Sequence, residues 1–251
     1  VADELEEAFF SIYHQTVKPT KIIIVADGPV CARVNNALDR FNTHDCVKVV
    51  RSKENRGAGY ARALAIEHST SPLIALMDSD DISLKDRFEK QLYFIKNSDA
   101  DVVGGMIAEF HSVPGDQDFI RLVPLKHEHI RNELKWKQSM NNVTLLFKRD
   151  AYENVGGYNN FPYFEDYDLI ARMMIAGSKF ANQEDILVDV RTGEGFLRKR
   201  RGWTYLVEEQ KQFYRLRKVK FIPLFLYLGV ALSRIIARIM PMATLNLYYK
   251  F

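Results

Sequence analysis

Short apolar runs rich in β-branched residues alternate with helix-length segments in the first half of this chain. KIIIVADG (21–28), VKVVRS (47–52) and LIALMD (73–78) have the composition of buried strands. The segments between them carry apolar residues at helical spacing. This alternation predicts an α/β fold with a parallel, doubly wound sheet. Such sheets bind ligands beyond the carboxyl ends of their strands, which is where Asp27 and Asp78 fall.

The composition is that of a globular chain of 251 residues, 47% hydrophobic and 27% charged. A formal net charge of +3 is too nearly balanced to indicate a nucleic-acid partner, and we expect none. Cys31 and Cys46 lack CxxC spacing, which favours free thiols in a reducing compartment over a disulfide or metal pair. The N-terminal VADELEEAFF is acidic and has no long apolar run, so a cytoplasmic location is expected.

Three carboxylates follow the third strand, in the stretch DSDD (78–81). In an extended chain alternate side chains point the same way, so Asp78 and Asp80 can share one ligand. Mg²⁺ or Mn²⁺ takes oxygen ligands of this kind, usually one or two carboxylates with substrate phosphates. The alternative is a helix N-terminus, since Asp80, Asp81 and Ser83 suit a first turn before LKDRFEKQ. We assign Asp81 to that capping role.

A second acidic cluster, FEDYDL (164–169), begins a predicted helix and is bordered by aromatic residues. A carboxylate in an aromatic-lined pocket can have its pKa raised and act as a general base. Glu165 and Asp166 are the candidates, and helix capping is again the alternative.

A basic segment, RTGEGFLRKRRGW (191–203), comes after the last predicted strand. Arginine forks match phosphate oxygens well. Nucleic-acid binding and a plain solvated face are the alternatives, but neither explains why the basic segment accompanies two acidic clusters.

The ordered set of these motifs resembles the family 2 glycosyltransferases of the GT-A fold, and within them bacterial enzymes that build exopolysaccharide or O-antigen repeat units. The resemblance covers residues 3–215. Its motifs are ADG after a strand, ENRGAGYARALAIEHS (54–69), LIALMDSDD (73–81), GGY before FEDYDL (156–169), and RRGW (200–203).

The resemblance implies an inverting, metal-dependent transfer from a nucleotide-sugar, with UDP expected, to a hydroxyl of a lipid-linked or oligosaccharide acceptor. Asp78 and Asp80 would hold Mn²⁺ or Mg²⁺, and Asp166, with Glu165 beside it, would be the catalytic base. The implied donor-binding residues are Asp27, Asn55, Arg56, Arg62, Asp78, Arg200, Arg201 and Trp203.

Two features depart from the family pattern. Members normally begin with an apolar strand and a nucleotide-contacting loop, whereas VADELEEAFF enters directly at the first helix. We therefore expect residues 1–210 to form a GT-A domain lacking its first strand. On the acceptor side Asn141–Asn142 stands where a His-Pro pair would be more typical.

The C-terminal segment 211–251 is basic and apolar. Its longest apolar stretch, 221–232, is too short to span a membrane. Basic residues before it and Arg234 and Arg238 within a helical pattern predict an amphipathic segment lying on an anionic membrane surface. Packing on the protein's own core or in a dimer interface is the alternative. Together with the cytoplasmic default, this predicts a peripheral protein at the inner face of the cell membrane.

Other classes of protein remain open. A haloacid-dehalogenase phosphatase also places D-x-D after a strand, but it leaves FEDYDL without a role. A sugar nucleotidyltransferase would need a Gly-rich phosphate loop near its first strand. A non-catalytic nucleotide- or glycan-binding module on the same fold is the main alternative to an enzyme.

Overall fold

The computed structural model of the chain describes residues 2–192 and 202–239. The chain divides into two compact units, Val1–Thr192 and Gly193–Phe251. The predicted boundary between residues 210 and 211 lies within a helix of the second unit, Trp203–Lys218.

The first unit contains seven helices and eight strands within its described residues. In chain order they are α1 (Ala2–Tyr13), β1 (Ile22–Ala26), α2 (Ala32–Phe41), β2 (Val47–Arg51), α3 (Ala58–Glu67), β3 (Leu73–Ala75), β4 (Ile82–Ser83), α4 (Arg87–Lys96), β5 (Val102–Phe110), β6 (Phe119–Arg121), α5 (His127–Glu133), β7 (Leu146–Lys148), α6 (Arg149–Glu153), α7 (Glu165–Ile175) and β8 (Phe180–Arg191). A 3₁₀ turn, Asn142–Thr144, precedes β7.

The strands form two sheets rather than one. β1 and β2 pair in parallel, and a six-stranded sheet has the order β3-β7-β5-β8-β4, with β6 on β5. β5 and β8 are parallel, but β3 and β5 pair antiparallel with β7, as does β4 with β8. The predicted parallel pairing is therefore found for β1 with β2 and for β5 with β8, whereas the predicted strand β3 pairs antiparallel with β7. The regular alternation of strand and helix stops at β3, which β4 follows without a helix between them, and the short connection from β5 to β6 permits only an antiparallel pair.

The helices near β1 and β2 are held by their apolar stripes. Val34, Ala37, Leu38 and Phe41 recur at helical spacing on α2 and are all buried. The ring of Phe41 stacks on that of Phe9 in α1, with centroids 3.9 Å apart. This packing fixes α1 and α2 beside β1, whose last residue directly precedes Asp27.

The segment after β3 differs from the predicted helix start. Ile82–Ser83 is a short strand paired with β8, and α4 begins only at Arg87. Asp81 therefore does not cap this helix, and the assignment of that role to it was wrong. Tertiary pairing with β8 overrides the local preference of DISL for a helical turn.

The second unit contains two described helices, α8 (Trp203–Lys218) and α9 (Leu224–Ile239). They form an antiparallel hairpin, since Glu209 faces Arg234 at 3.6 Å and Tyr214 faces Tyr227 with ring centroids 6.5 Å apart. Within the described ranges no helix combines the length and the apolar content needed to cross a membrane.

Candidate active site

The acidic turn, residues 78–81, follows β3 and holds its carboxylates in three different settings. Asp78 is partly exposed, and its Oδ1 accepts a hydrogen bond from Arg62 Nη2 at 2.9 Å. Asp80 is exposed. Asp81 is buried, and its Oδ1 accepts from the backbone N–H of Arg191 at 2.9 Å. Only Asp78 and Asp80 therefore remain accessible to a ligand.

Arg62 joins the two acidic clusters that the sequence singles out. Its Nη2 binds Asp78, and its Nη1 donates to Glu165 Oε1 at 2.8 Å. The guanidinium is mostly buried, which by itself lowers the pKa, but Asp78 and Glu165 carry the pKa of Arg62 above its usual value. The D-x-D turn and the ED pair, far apart in sequence, thus meet at one cation.

Glu165 and Asp166 begin α7, directly after Phe164, whose φ of 62° is left-handed. A non-glycine residue held in this region is strained, which is common at functional sites. Burial and the neighbouring Asp166 raise the pKa of Glu165, while Arg62 opposes the rise. Asp166 accepts from Gln138 Nε2 at 3.4 Å and from the backbone N–H of Tyr167 at 2.7 Å. Both acids are half-buried, so either can receive a proton from a neighbouring hydroxyl.

Asp27 follows β1 and binds the start of α3. Its Oδ2 accepts from Gly57 N–H at 2.7 Å, and its Oδ1 accepts from Arg56 N–H at 3.0 Å. Ionised carboxylates have about four acceptor positions, so this role leaves capacity for a nucleotide base. The guanidinium of Arg56 lies 3.9 Å from the centre of the Tyr60 ring, and Asn55 is exposed beside it.

Gly59, in the first turn of α3, permits α3 and α7 to approach closely. A Cβ at this position would lie 3.0 Å from both Cβ and Cγ of Glu165. The glycine therefore allows Glu165 to reach Arg62, which lies one turn later in the same helix.

The late basic motif is only partly described. Arg200 and Arg201 lie outside the described residues. Trp203 is the first residue of α8 and is 77% exposed. Arg191 binds protein groups instead of offering a free fork for phosphate, since it donates to the Asp80 carbonyl at 3.1 Å and to Glu7 Oε2 at 2.6 Å.

No set of three His, Cys, Asp or Glu side chains suited to holding a metal occurs among the residues the structure describes. Asp78 and Asp80 supply two accessible carboxylates at one turn. This donor set fits Mg²⁺ or Mn²⁺ bound jointly by protein carboxylates and substrate phosphates better than an all-protein cage.

Three residues that sequence reasoning did not select also belong to this region. Gln138 contacts Asp166, Tyr158 lies among the charges of Arg62 and Asp166, and Arg87 lies beneath the acidic turn. Tyr158 stands in the GGY motif, which was a usable signal. Gln138 and Arg87 reach the site only through tertiary packing.

Comparison with known proteins decides the family. The profile described as "Glycosyl transferase family 2" matches residues 1–156, more than half of the 251. The chain belongs to this family. It is a glycosyltransferase, and the predicted enzyme class is confirmed at that level. The phosphatase and nucleotidyltransferase alternatives are thereby excluded.

Relatives of the family agree with the predicted subgroup. "Amylovoran biosynthesis glycosyltransferase AmsE" of Erwinia amylovora is 32% identical over 99% of this chain and 93% of its own length. The Escherichia coli protein named "UDP-Gal:alpha-D-GlcNAc-diphosphoundecaprenol beta-1,3-galactosyltransferase" is 30% identical over 98% of this chain and 90% of its own.

A solved structure confirms the GT-A fold. The Pyrobaculum calidifontis mannosyltransferase PcManGT, in complex with GDP-Man and Mn²⁺, aligns with a TM-score of 0.64 at 16% identity. The alignment covers 100% of this chain and 76% of that chain. At this identity the similarity concerns the fold alone.

Proposed function

We propose that this chain is an inverting glycosyltransferase that moves a sugar from a UDP-sugar to a hydroxyl of a growing, lipid-linked bacterial polysaccharide. The observation that carries the proposal is the position of Arg62 between Asp78 and Glu165. Arg62 thereby holds the candidate diphosphate site, which follows β3, next to the candidate base at the start of α7.

The donor is assigned from a relative's name. The E. coli galactosyltransferase at 30% identity is named for UDP-Gal. The GDP-Man complex comes from a structure at 16% identity, which is too distant to guide the choice of base. UDP is therefore the nucleotide we expect to bind. Asp27, Asn55 and Arg56 would contact it, together with Arg200 and Arg201 and with Trp203.

The transfer is proposed as a single displacement. Asp166 accepts the proton of the acceptor hydroxyl as its oxygen bonds to the anomeric carbon of the donor sugar. The bond from that carbon to the diphosphate breaks, and UDP leaves with the electron pair. Attack from the opposite face inverts the anomeric centre. Glu165 is paired with Arg62, and this contact holds the two neighbouring acids, Glu165 and Asp166, against the donor site.

Asp78 and Asp80 are the residues that would hold Mg²⁺ or Mn²⁺. When bound, the metal would neutralise charge that develops on the leaving diphosphate. The positively charged arginines of the site would stabilise the same developing negative charge on the diphosphate.

A lipid-linked acceptor and peripheral binding to the inner membrane face are part of the same proposal. The galactosyltransferase relative is named for an undecaprenol-linked acceptor. One face of α9 is suited to binding a membrane surface, because large apolar residues recur along it and are exposed: Leu224, Phe225, Leu228, Leu232, Ile235 and Ile236. Arg215, Arg217 and Lys218 in the last turn of α8 supply the charge that anionic lipids attract.

The nucleotide site is tested by calorimetric titration of UDP, and separately of GDP, into the full chain with and without Mn²⁺. We expect UDP to bind more tightly than GDP, and Mn²⁺ to strengthen the binding. Asp80→Ala should abolish the metal effect. If neither nucleotide binds, the acidic turn has a structural role only.

The base is tested by Asp166→Asn, which keeps the shape but removes the proton acceptor. Sugar transfer should fall by about 10²–10⁴-fold, as for loss of a general base, with UDP affinity kept. Asp150→Asn, an exposed acid on α6, is the matched control and should transfer at the wild-type rate. Nucleotide binding without transfer in the wild-type chain would favour the non-catalytic module.

A further inference from the structure

The hydroxyl of Tyr158 is buried, within electrostatic range of both candidate acids. In the part of the chain that the structure describes, its Oη makes no hydrogen bond. Two other buried tyrosines differ: Tyr152 Oη accepts from the Tyr158 backbone N–H at 3.3 Å, and the Tyr167 hydroxyl donates to the Leu134 carbonyl. Burial of a polar group without a partner is costly, so each instance in a folded protein calls for an explanation.

The backbone fixes where this phenol lies. Gly157 has a φ of 70°, and a Cβ at this position would lie 2.6 Å from Tyr152 Oη. The Gly157 carbonyl accepts from Arg172 Nη2 at 2.7 Å. The Tyr158 ring lies against that of Tyr152, with centroids 5.8 Å apart. A tightly determined turn thus holds a hydroxyl that has no partner within it.

The charges around the phenol come from the candidate site. Arg62, Asp166 and Glu165 all act on it electrostatically. Burial is the main reason that the pKa of Tyr158 lies above its ordinary value, so the phenol stays protonated. A protonated phenol beside carboxylates is a hydrogen-bond donor, and such charge-assisted bonds are the strong ones.

We propose that Tyr158 is a positioning residue for sugar transfer, whose hydroxyl donates to Asp166 when the acceptor is bound. Asp166 has the capacity, since among the described residues its Oδ2 accepts only a long hydrogen bond of 3.4 Å from Gln138 Nε2, whereas Glu165 is already paired with Arg62. Catalytic hydrogen bonds often form fully only in the reacting complex. The proposal rests on the proposed function, because it gives Tyr158 a role toward the base of that reaction.

Tyr158→Phe tests it, because this change removes only the hydroxyl. In the full chain, kcat with saturating UDP-galactose and a GlcNAc-diphospholipid acceptor should fall about tenfold or more. The calorimetric affinity for UDP with Mn²⁺ should stay the same. The melting temperature should stay the same or rise, since the hydroxyl makes no hydrogen bond to any residue that the structure describes.

Tyr152→Phe is the matched control on the same turn. It removes the acceptor of the Tyr158 N–H, so its melting temperature should fall. Opposite effects on stability from the same substitution at adjacent phenols would separate a positioning role from a structural one.

Each outcome is decisive. An unchanged kcat in Tyr158→Phe, with an active wild-type chain, overturns the role of Tyr158 alone. A lower melting temperature in Tyr158→Phe also overturns it, because the hydroxyl would then have a partner in the resting protein. Absence of transfer by the wild-type chain from a panel of UDP-sugars, UDP-galactose among them, overturns the proposed function, and the role of Tyr158 with it.

Discussion

Three arginines from different elements offset the repulsion within the acidic turn. Arg62 pairs with Asp78, and the backbone N–H of Arg191 binds Asp81. Arg87 is fully buried, and its Nη2 donates to the Leu76 carbonyl at 2.9 Å. Burial lowers the pKa of Arg87 to about 9, against the opposing charge of Asp78. The turn therefore folds with its counter-charges supplied by the protein.

Asp81 should make the stability of the metal-free protein depend on pH. Burial, together with Asp78 and Asp80, raises its pKa to about 7. Because the pKa of Asp81 is higher in the folded than in the unfolded protein, protonation of Asp81 favours the folded state. This contribution to the free energy of unfolding is complete below about pH 4 and is lost as the pH rises through 7. Asp81→Asn should therefore be more stable than wild type at about pH 8, by roughly 2–4 kcal/mol at ~1.4 kcal/mol per pKa unit.

Urea denaturation with a chelator at about pH 5 and about pH 8 measures this difference. Asp45→Asn, an exposed acid, is the control and should keep the wild-type pH dependence. Equal stability of Asp81→Asn and wild type at the higher pH would contradict the burial of an ionisable carboxyl here.

At the scale of elements, the close approach of α3 to α7 decides the site. Arg62 lies on α3 and Glu165 on α7, and Gly59 is the residue that lets the two helices touch. The distance between α3 and α7 therefore sets how close the donor-binding side of the site lies to the candidate base.

Gly59→Ala should push Glu165 away from Arg62. Overpacking typically costs about 1–3 kcal/mol, and the better helix propensity of Ala returns at most about 1 kcal/mol. We expect a lower free energy of unfolding and a roughly tenfold loss of transfer, since small misplacements of catalytic groups reduce rates strongly.

Gly229→Ala is the matched control for this change. Gly229 lies in α9, and a Cβ there meets no atom of the described part of the chain within 4 Å. This variant should gain about 0.5–1 kcal/mol from helix propensity. A Gly59→Ala enzyme with wild-type stability and activity would contradict this prediction, because it would show that α3 and α7 accommodate a methyl group at this position.

At the scale of the whole molecule, the second unit differs in character from the first. The exposed apolar face of α9 and the basic end of α8 lie on one helical hairpin. Large exposed apolar patches mark interaction sites, and a basic rim favours anionic lipid as the partner.

Binding to vesicles that contain phosphatidylglycerol should depend on this face. Replacing Leu228 and Leu232 with Glu should abolish co-flotation with such vesicles, because the change places charge on the exposed apolar face that would enter the bilayer. Salt at about 1 M, where the Debye length is ~3 Å, should weaken wild-type binding. Tyr93→Glu, at an exposed aromatic on α4, is the control and should still float. Flotation of the double variant would show that this face of α9 is not required for binding to the vesicles.

The sequence by itself determined the family, the α/β class and the pairs of acids, because these depend on local patterns. Alternating apolar runs predicted β1, β2 and β3, and residue spacing selected Asp78, Asp80, Glu165 and Asp166. Tertiary structure decided what these residues touch. The pairing of Ile82–Ser83 with β8 turned the predicted helix cap at Asp81 into a buried acceptor. Arg62 joins groups 16 and 103 residues away, and no local spacing encodes such contacts. Burial, which sets the pKa of Asp81, Glu165 and Tyr158, exists only once the chain has folded.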